Sequence, residues 1–124
     1  MSNPTHLRYT DQHEWIAADG RVGITDHAQE LLTDIVFVEL PAEGMNVTKG
    51  QEVCMIDSVK ASSPVYAPAD GTIVAVNQAL DGAPELLNQD PFGQGWIFKL
   101  ELSDAAQIDG LLDAAAYEAL VAGG

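Results

Sequence analysis

Lysine is the chemically distinctive residue here because it is scarce: the 124-residue chain holds only Lys49, Lys60 and Lys99. Lys49 precedes Gly50 in a turn-like stretch, and Lys99 alternates with apolar neighbours within Trp96–Leu102, so both read as solvated positions. Lys60 stands apart. It lies midway between two strand-like runs, in Asp57-Ser58-Val59-Lys60-Ala61-Ser62-Ser63, one amine framed by small and polar side chains. Spacing alone reads first as an ordinary exposed hairpin lysine. An exposed, protonated amine makes a poor nucleophile. Without a pocket it is better suited to modification than to catalysis.

The other reactive side chains fall into no catalytic or metal-binding pattern. His6, His13 and His27 are separated by 7 and 14 residues, and neither interval is a ligand spacing. Cys54 is the single cysteine, which excludes an internal disulfide and fits a reducing compartment. Within Val53-Cys54-Met55-Ile56 it is expected to be a buried, inert thiol. Gly93-Gln94-Gly95-Trp96 lacks the later glycine and lysine of a phosphate loop and reads as a turn. Asp104 and Asp109 are too ordinary in so acidic a chain to suggest a catalytic pair.

Charge narrows the partner classes. Nineteen Asp and Glu oppose five Lys and Arg, giving a formal charge of −14, and the cations Arg8, Arg21, Lys49, Lys60 and Lys99 form no cluster. Nucleic acid and anionic membrane surfaces both call for clustered cations, so neither is expected as a partner. The acids are dispersed as well, as on a solvated surface, with steering toward a basic partner as the alternative. The Met1–Thr10 start has no basic flank or apolar stretch of a secretory signal, and no apolar run approaches bilayer length. A cytoplasmic location of bacterial type is the expectation.

The elements that must position Lys60 are short strands. Glu14–Ala18 and Arg21–Ile24 flank Asp19-Gly20, a hairpin signal. Thr25 is suited to cap a helix through Ala28, Leu31 and Leu32 up to Thr33, and Ile35–Leu40 then reads as strand. Two turn signals echo each other: Pro41-Ala42-Glu43-Gly44 before Met45-Asn46-Val47, and Pro68-Ala69-Asp70-Gly71 before Thr72-Ile73-Val74. In each, proline presets φ and glycine is expected to supply a positive φ. Strands Glu52–Ser58 and Ser63–Tyr66 lie between them. Gly71–Asn77 is a further strand, Ala79–Gln94 a loop with one helical turn near Pro84–Leu87, and Trp96–Leu102 the last strand. Asp113 is placed to cap a helix over Ala114–Val121. The pattern predicts a mainly β fold, an antiparallel barrel or sandwich, as one domain over 1–124 with its core at about 8–102 and a helical tail at 104–122.

Longer blocks resemble a known family, the H proteins of the glycine cleavage system. They are His13-Glu14-Trp15, Val22-Gly23-Ile24-Thr25-Asp26-His27-Ala28-Gln29, Asp34-Ile35-Val36-Phe37-Val38-Glu39-Leu40-Pro41, Ser58-Val59-Lys60-Ala61, Tyr66-Ala67-Pro68, Val76-Asn77, Pro84-Glu85-Leu86, Asn88-Gln89-Asp90-Pro91 and Gly95-Trp96. The blocks keep the family's order, and the match as a whole runs from about Tyr9 to Val121. The resemblance implies a flattened antiparallel β-barrel or sandwich of the lipoyl-domain type, built from two quasi-symmetric halves, with one short inserted helix. It implies lipoate in amide linkage on Lys60, and a carrier that is not itself an enzyme. Its partners would be glycine decarboxylase (P protein), aminomethyltransferase (T protein), dihydrolipoyl dehydrogenase (L protein) and a lipoylating enzyme, with the carrier a monomer. The decarboxylase would load an aminomethyl group, the transferase would pass its one-carbon unit to tetrahydrofolate, and the dehydrogenase would reoxidise the dithiol, so that the cofactor carries the hard chemistry of glycine catabolism.

The family folds the loaded arm into a cleft at Glu14, with Ser at the position of Gln12 and Asp at that of Pro64. Glu14 alone is retained here, and Asp57 stands where the family usually has Glu. The rival readings are an H-like lipoyl donor or relay outside glycine cleavage, motivated by Gln12 and Pro64; a Schiff-base enzyme, which requires a buried Lys60; and a structural adaptor. Biotin carriers flank their lysine with methionine, whereas Val59 and Ala61 flank this one.

Overall fold

Short runs of apolar and polar residues, many of them alternating, commit segments along the chain to antiparallel strands. The computed structural model describes residues 4–104 and 106–123. Met1–Asn3 of the weighed start, and Ala105 and Gly124 of the tail, lie outside them. In chain order the elements are β1 (Arg8–Tyr9), β2 (Glu14–Ile16), β3 (Arg21–Ile24), α1 (Asp26–Leu32), β4 (Ile35–Glu39), β5 (Asn46–Val47), β6 (Glu52–Ser58) and β7 (Ser62–Tyr66). They continue as β8 (Gly71–Val76), α2 (Ala79–Gly82), α3 (Leu86–Gln89), β9 (Phe98–Leu102), α4 (Ala106–Asp109) and α5 (Ala114–Gly123).

The strands form two antiparallel sheets, ordered β1-β2-β3-β9-β8-β5 and β4-β6-β7. The expected barrel-or-sandwich fold therefore takes the sandwich form, with no closed barrel. Inward side chains of both sheets, among them Val22, Ile73 and Leu100 opposite Val38, Ile56 and Val65, build the main core. A second cluster of Leu7, Tyr9, Trp15, Ala17, Ala114 and Tyr117 ties α5 to β1 and β2. There the Tyr9 and Tyr117 rings stack at 4.9 Å.

Local chemistry explains the ends of the elements. The Thr25 hydroxyl accepts the Ala28 N–H (3.2 Å), as an N-cap should. Asp113 Oδ1 accepts the Ala116 N–H (2.8 Å) at the start of α5. The echoing turn segments meet: β5 pairs with β8 through Asn46 and Thr72 and through Val47 and Gly71. One detail of the echo is overturned. Gly44 has φ +86, whereas among the described residues Gly71 is not one of the positive-φ glycines. Gly71 is required for a different reason, because a Cβ there would sit 2.5 Å from the Glu101 carbonyl oxygen. The Ala79–Gln94 loop holds two short helices and not one, and β1 and α4, each too short to show periodicity, had no sequence signal.

A β-bulge interrupts β4: Ile35 faces Ser58 and Phe37 faces Asp57, leaving Val36 unpaired between them. Ile35 and Val38 point into the core, while Val36 and Phe37 are both exposed.

Candidate functional site around Lys60 and Glu14

Lys60 is exposed at the tip of the β6–β7 hairpin. Ser58 holds the turn together. Its N–H donates to the Ala61 carbonyl (2.8 Å), and its hydroxyl oxygen accepts the N–H of Ala61 (3.1 Å). One residue pair further in, the Ser62 hydroxyl donates to the Asp57 carboxylate. The tip is also anchored sideways, because the Val59 N–H donates to the Asp34 carbonyl (3.0 Å) just before β4. The backbone at Lys60 is thus fixed while its side chain is free to meet another molecule. The Schiff-base reading needed a buried amine, and this position is the opposite.

Glu14 is placed differently. It is 2 % exposed, on β2, and both carboxyl oxygens are engaged. The Thr10 hydroxyl donates to Oε1 (2.8 Å) and the Tyr66 N–H to Oε2 (2.9 Å). Burial pushes its pKa up to about 7, outweighing the two hydrogen bonds that favour the charge, and Asp11 adds a smaller upward push. The carboxyl sits in a cleft of roughly 640 Å³ lined by Tyr9, Gln12, Lys49, Tyr66, Leu112 and Leu120, among others.

The hydrogen bond from Tyr66 locates this cleft along the open edge of β7. Pro64, two residues earlier, presents its nitrogen to the same edge and has no N–H to donate, a suitable residue for an unpaired strand edge. It offers no carboxylate, and Gln12 on the cleft wall offers only an amide. Ser62 to Tyr66 spans about 13 Å at strand rise, so the lysine side chain alone, roughly 6 Å long, does not reach Glu14 from the tip.

Lys49 is a residue that sequence reasoning undervalued. It is exposed, as a solvated turn lysine should be, but it lines the Glu14 cleft. Its N–H is held by Asp70 Oδ1 (2.7 Å), across the meeting of the two echoing segments. That echo was the only available signal, and it pointed to a turn. Lys99 is half-buried in β9 opposite Arg21 of β3, away from the tip.

The remaining candidates take structural parts. Cys54 is buried, and burial pushes its thiol up to about 12. The His13 and His27 rings lie 4.9 Å apart, while His6 is exposed elsewhere. The Tyr117 hydroxyl lies 2.7 Å from His13 Nδ1 and 2.7 Å from Thr25 Oγ1. Burial and the neighbouring His27 lower the His13 pKa, favouring the neutral ring. Among the described residues no three His, Cys, Asp or Glu are grouped to hold a metal ion. Gly93 and Gly95 direct their N–H groups to the Asp90 carbonyl in a tight turn. Asp104 Oδ1 accepts the Ala106 N–H, and Asp109 is the last residue of α4.

Comparison with known proteins follows the same outline. The family model described as glycine cleavage H-protein matches residues 7–123. A glycine cleavage system H protein of Cronobacter sakazakii is 56% identical over 126 residues, covering 98% of each chain. One of Deinococcus deserti is 56% identical over 119 residues, covering 96% of this chain and 98% of its own. The crystal structure of a glycine cleavage system H protein from Mycobacterium marinum superposes with a TM-score of 0.88 at 38% identity, covering 97% of this chain and 99% of that one.

Proposed function

Because the chain belongs to the glycine cleavage H-protein family, we propose that it serves as the lipoyl carrier of glycine cleavage, with Lys60 as the attachment point. The observation that carries the site assignment is the exposure of Lys60 on a turn rigidified by Ser58 and by the Val59–Asp34 hydrogen bond. A modifying enzyme needs a free amine on a backbone that does not move, and Lys60 offers both. Lipoate, when attached there, supplies a disulfide ring that exchanges electrons and an aminomethyl group with other proteins.

The chain contributes presentation and protection. An amide at Lys60 removes the positive charge and lengthens the side chain, bringing the Glu14 cleft within reach along the β7 edge. Glu14 is the group suited to hold an amine there through a charge-assisted hydrogen bond. Lys49 supplies a cation at the cleft wall. No further catalytic residue is needed, since on this reading glycine decarboxylase, aminomethyltransferase and dihydrolipoyl dehydrogenase perform the reactions and a lipoylating enzyme prepares the carrier. The relatives' glycine-cleavage names disfavour the relay reading, and their bacterial sources support work in a bacterial cytoplasm. No helix among the described residues is long and apolar enough to cross a membrane.

Intact mass spectrometry with peptide mapping tests the assignment. A single lipoyl increment on the peptide containing Lys60, absent in Lys60→Arg, is the expected result. An unmodified Lys60 in cells that lipoylate their other carriers would overturn it.

A further inference from the structure

Beside the Lys60 tip the surface carries an apolar patch that the carrier reading does not use. Val36, Phe37 and Val59 are 54%, 47% and 65% exposed, three of the four large hydrophobic side chains among the described residues that are nearly half exposed or more. They are neighbours by register: the bulge sets Val36 between the Ile35–Ser58 and Phe37–Asp57 pairs, and Val59 follows Ser58 with its N–H on the Asp34 carbonyl. Without the bulge, strand alternation would put Val36 and Phe37 on opposite faces and turn one of them toward the core. The extra residue therefore keeps two consecutive apolar side chains in water, a cost that a protein bears where a partner removes it. The exposed acids Asp34 and Glu39 flank these residues along β4.

We propose that Val36, Phe37 and Val59 form the docking surface for the enzyme that attaches lipoate to Lys60, an enzyme presenting an apolar depression bordered by Lys or Arg. The inference rests on Lys60 being the modified residue. Reach selects this occupant. The unmodified lysine extends only about 6 Å from the backbone, and its nitrogen must come within roughly 3.5 Å of the reacting carbonyl. The attaching enzyme therefore has to lie against the tip itself, covering Val59 and the adjoining Val36 and Phe37. Enzymes that receive the completed long arm are not held to that distance. Charge supplies the rim, because a carrier of −14 with acids beside the patch attracts a basic border and repels an acidic one.

The test uses full-length, unmodified protein and a purified bacterial lipoate-attaching enzyme, following the lipoyl mass increment over time. Val36→Ser combined with Phe37→Ser is expected to lower kcat/KM at least ten-fold, chiefly by raising KM, with the thermal midpoint little changed. Val74→Ser, at an exposed valine on β8 of the other sheet, should leave the rate as in the parent. Asp34→Asn with Glu39→Gln should lower the rate and flatten its dependence on ionic strength. Equal rates for the parent and the Val36/Phe37 variant would overturn the proposal. So would an unaffected attachment rate accompanied by impaired transfer with the decarboxylase, or a parent dimer in sedimentation that this variant dissociates. If Lys60 takes no lipoyl group in the parent protein either, the attachment-site reading fails first, a result distinct from these.

Discussion

At Glu14 two opposing influences meet on one carboxyl, and burial prevails over the hydrogen bonds from Thr10 and Tyr66. The proton is held more tightly in the folded chain (about 7) than at the ordinary value of 4.5. Its contribution to stability is therefore full below 4.5 and is lost as pH rises through about 7, by up to roughly 3 kcal/mol. Urea unfolding of the parent and of Glu14→Gln at pH 4.5 and 8 checks this. The variant should lose most of the decline between the two pH values, and an equal decline in both would contradict the assignment. A functional counterpart follows from the cleft: Glu14→Ala should hasten loss of the aminomethyl group from the loaded carrier several-fold. An unchanged loss rate would make Glu14 purely structural. Glu14 was legible beforehand only through the family blocks, since a lone glutamate among so many acids carries no signal of burial. Lys49 was not legible at all as a cleft residue, because Asp70, which fixes its backbone, lies 21 positions away.

Among the elements, the β6–β7 hairpin was readable because Glu52–Ser58 and the following strand bracket small polar residues. The bulge in β4 was not, since Ile35-Val36-Phe37-Val38 is an unbroken apolar run in which no residue type marks the extra position. The echoing turns teach a similar lesson. Their glycines look equivalent in sequence, yet Gly44 needs a positive φ with open space around it, while Gly71 needs room for the Glu101 carbonyl. Gly44→Ala should therefore cost only about 1 kcal/mol, the penalty of a left-handed conformation. Gly71→Ala should cost more, roughly 3 kcal/mol, because the nearest atoms are backbone and yield only by moving a strand. Thermal unfolding of the two variants decides the order, and equal losses would contradict the distinction.

Across the whole molecule, α5 is joined to the sandwich by a buried aromatic contact and a shared hydroxyl. Tyr117→Ala removes the stack on Tyr9 and the contacts to His13 and Thr25, and should cost about 3–5 kcal/mol in urea unfolding. A loss under about 1 kcal/mol would show that the helix is only loosely attached. The mainly β class, the order of most strands, the capped helices and the exposed lysine were all settled locally, because periodicity, turn chemistry and capping act over a few neighbouring residues. The edge that opens at β7, the burial of Glu14 beneath it, the outward turn of Val36 and the two unlike glycines depend on groups that approach from distant parts of the chain. Those contacts exist only once the two sheets have packed, and for that reason the tertiary structure alone decided them.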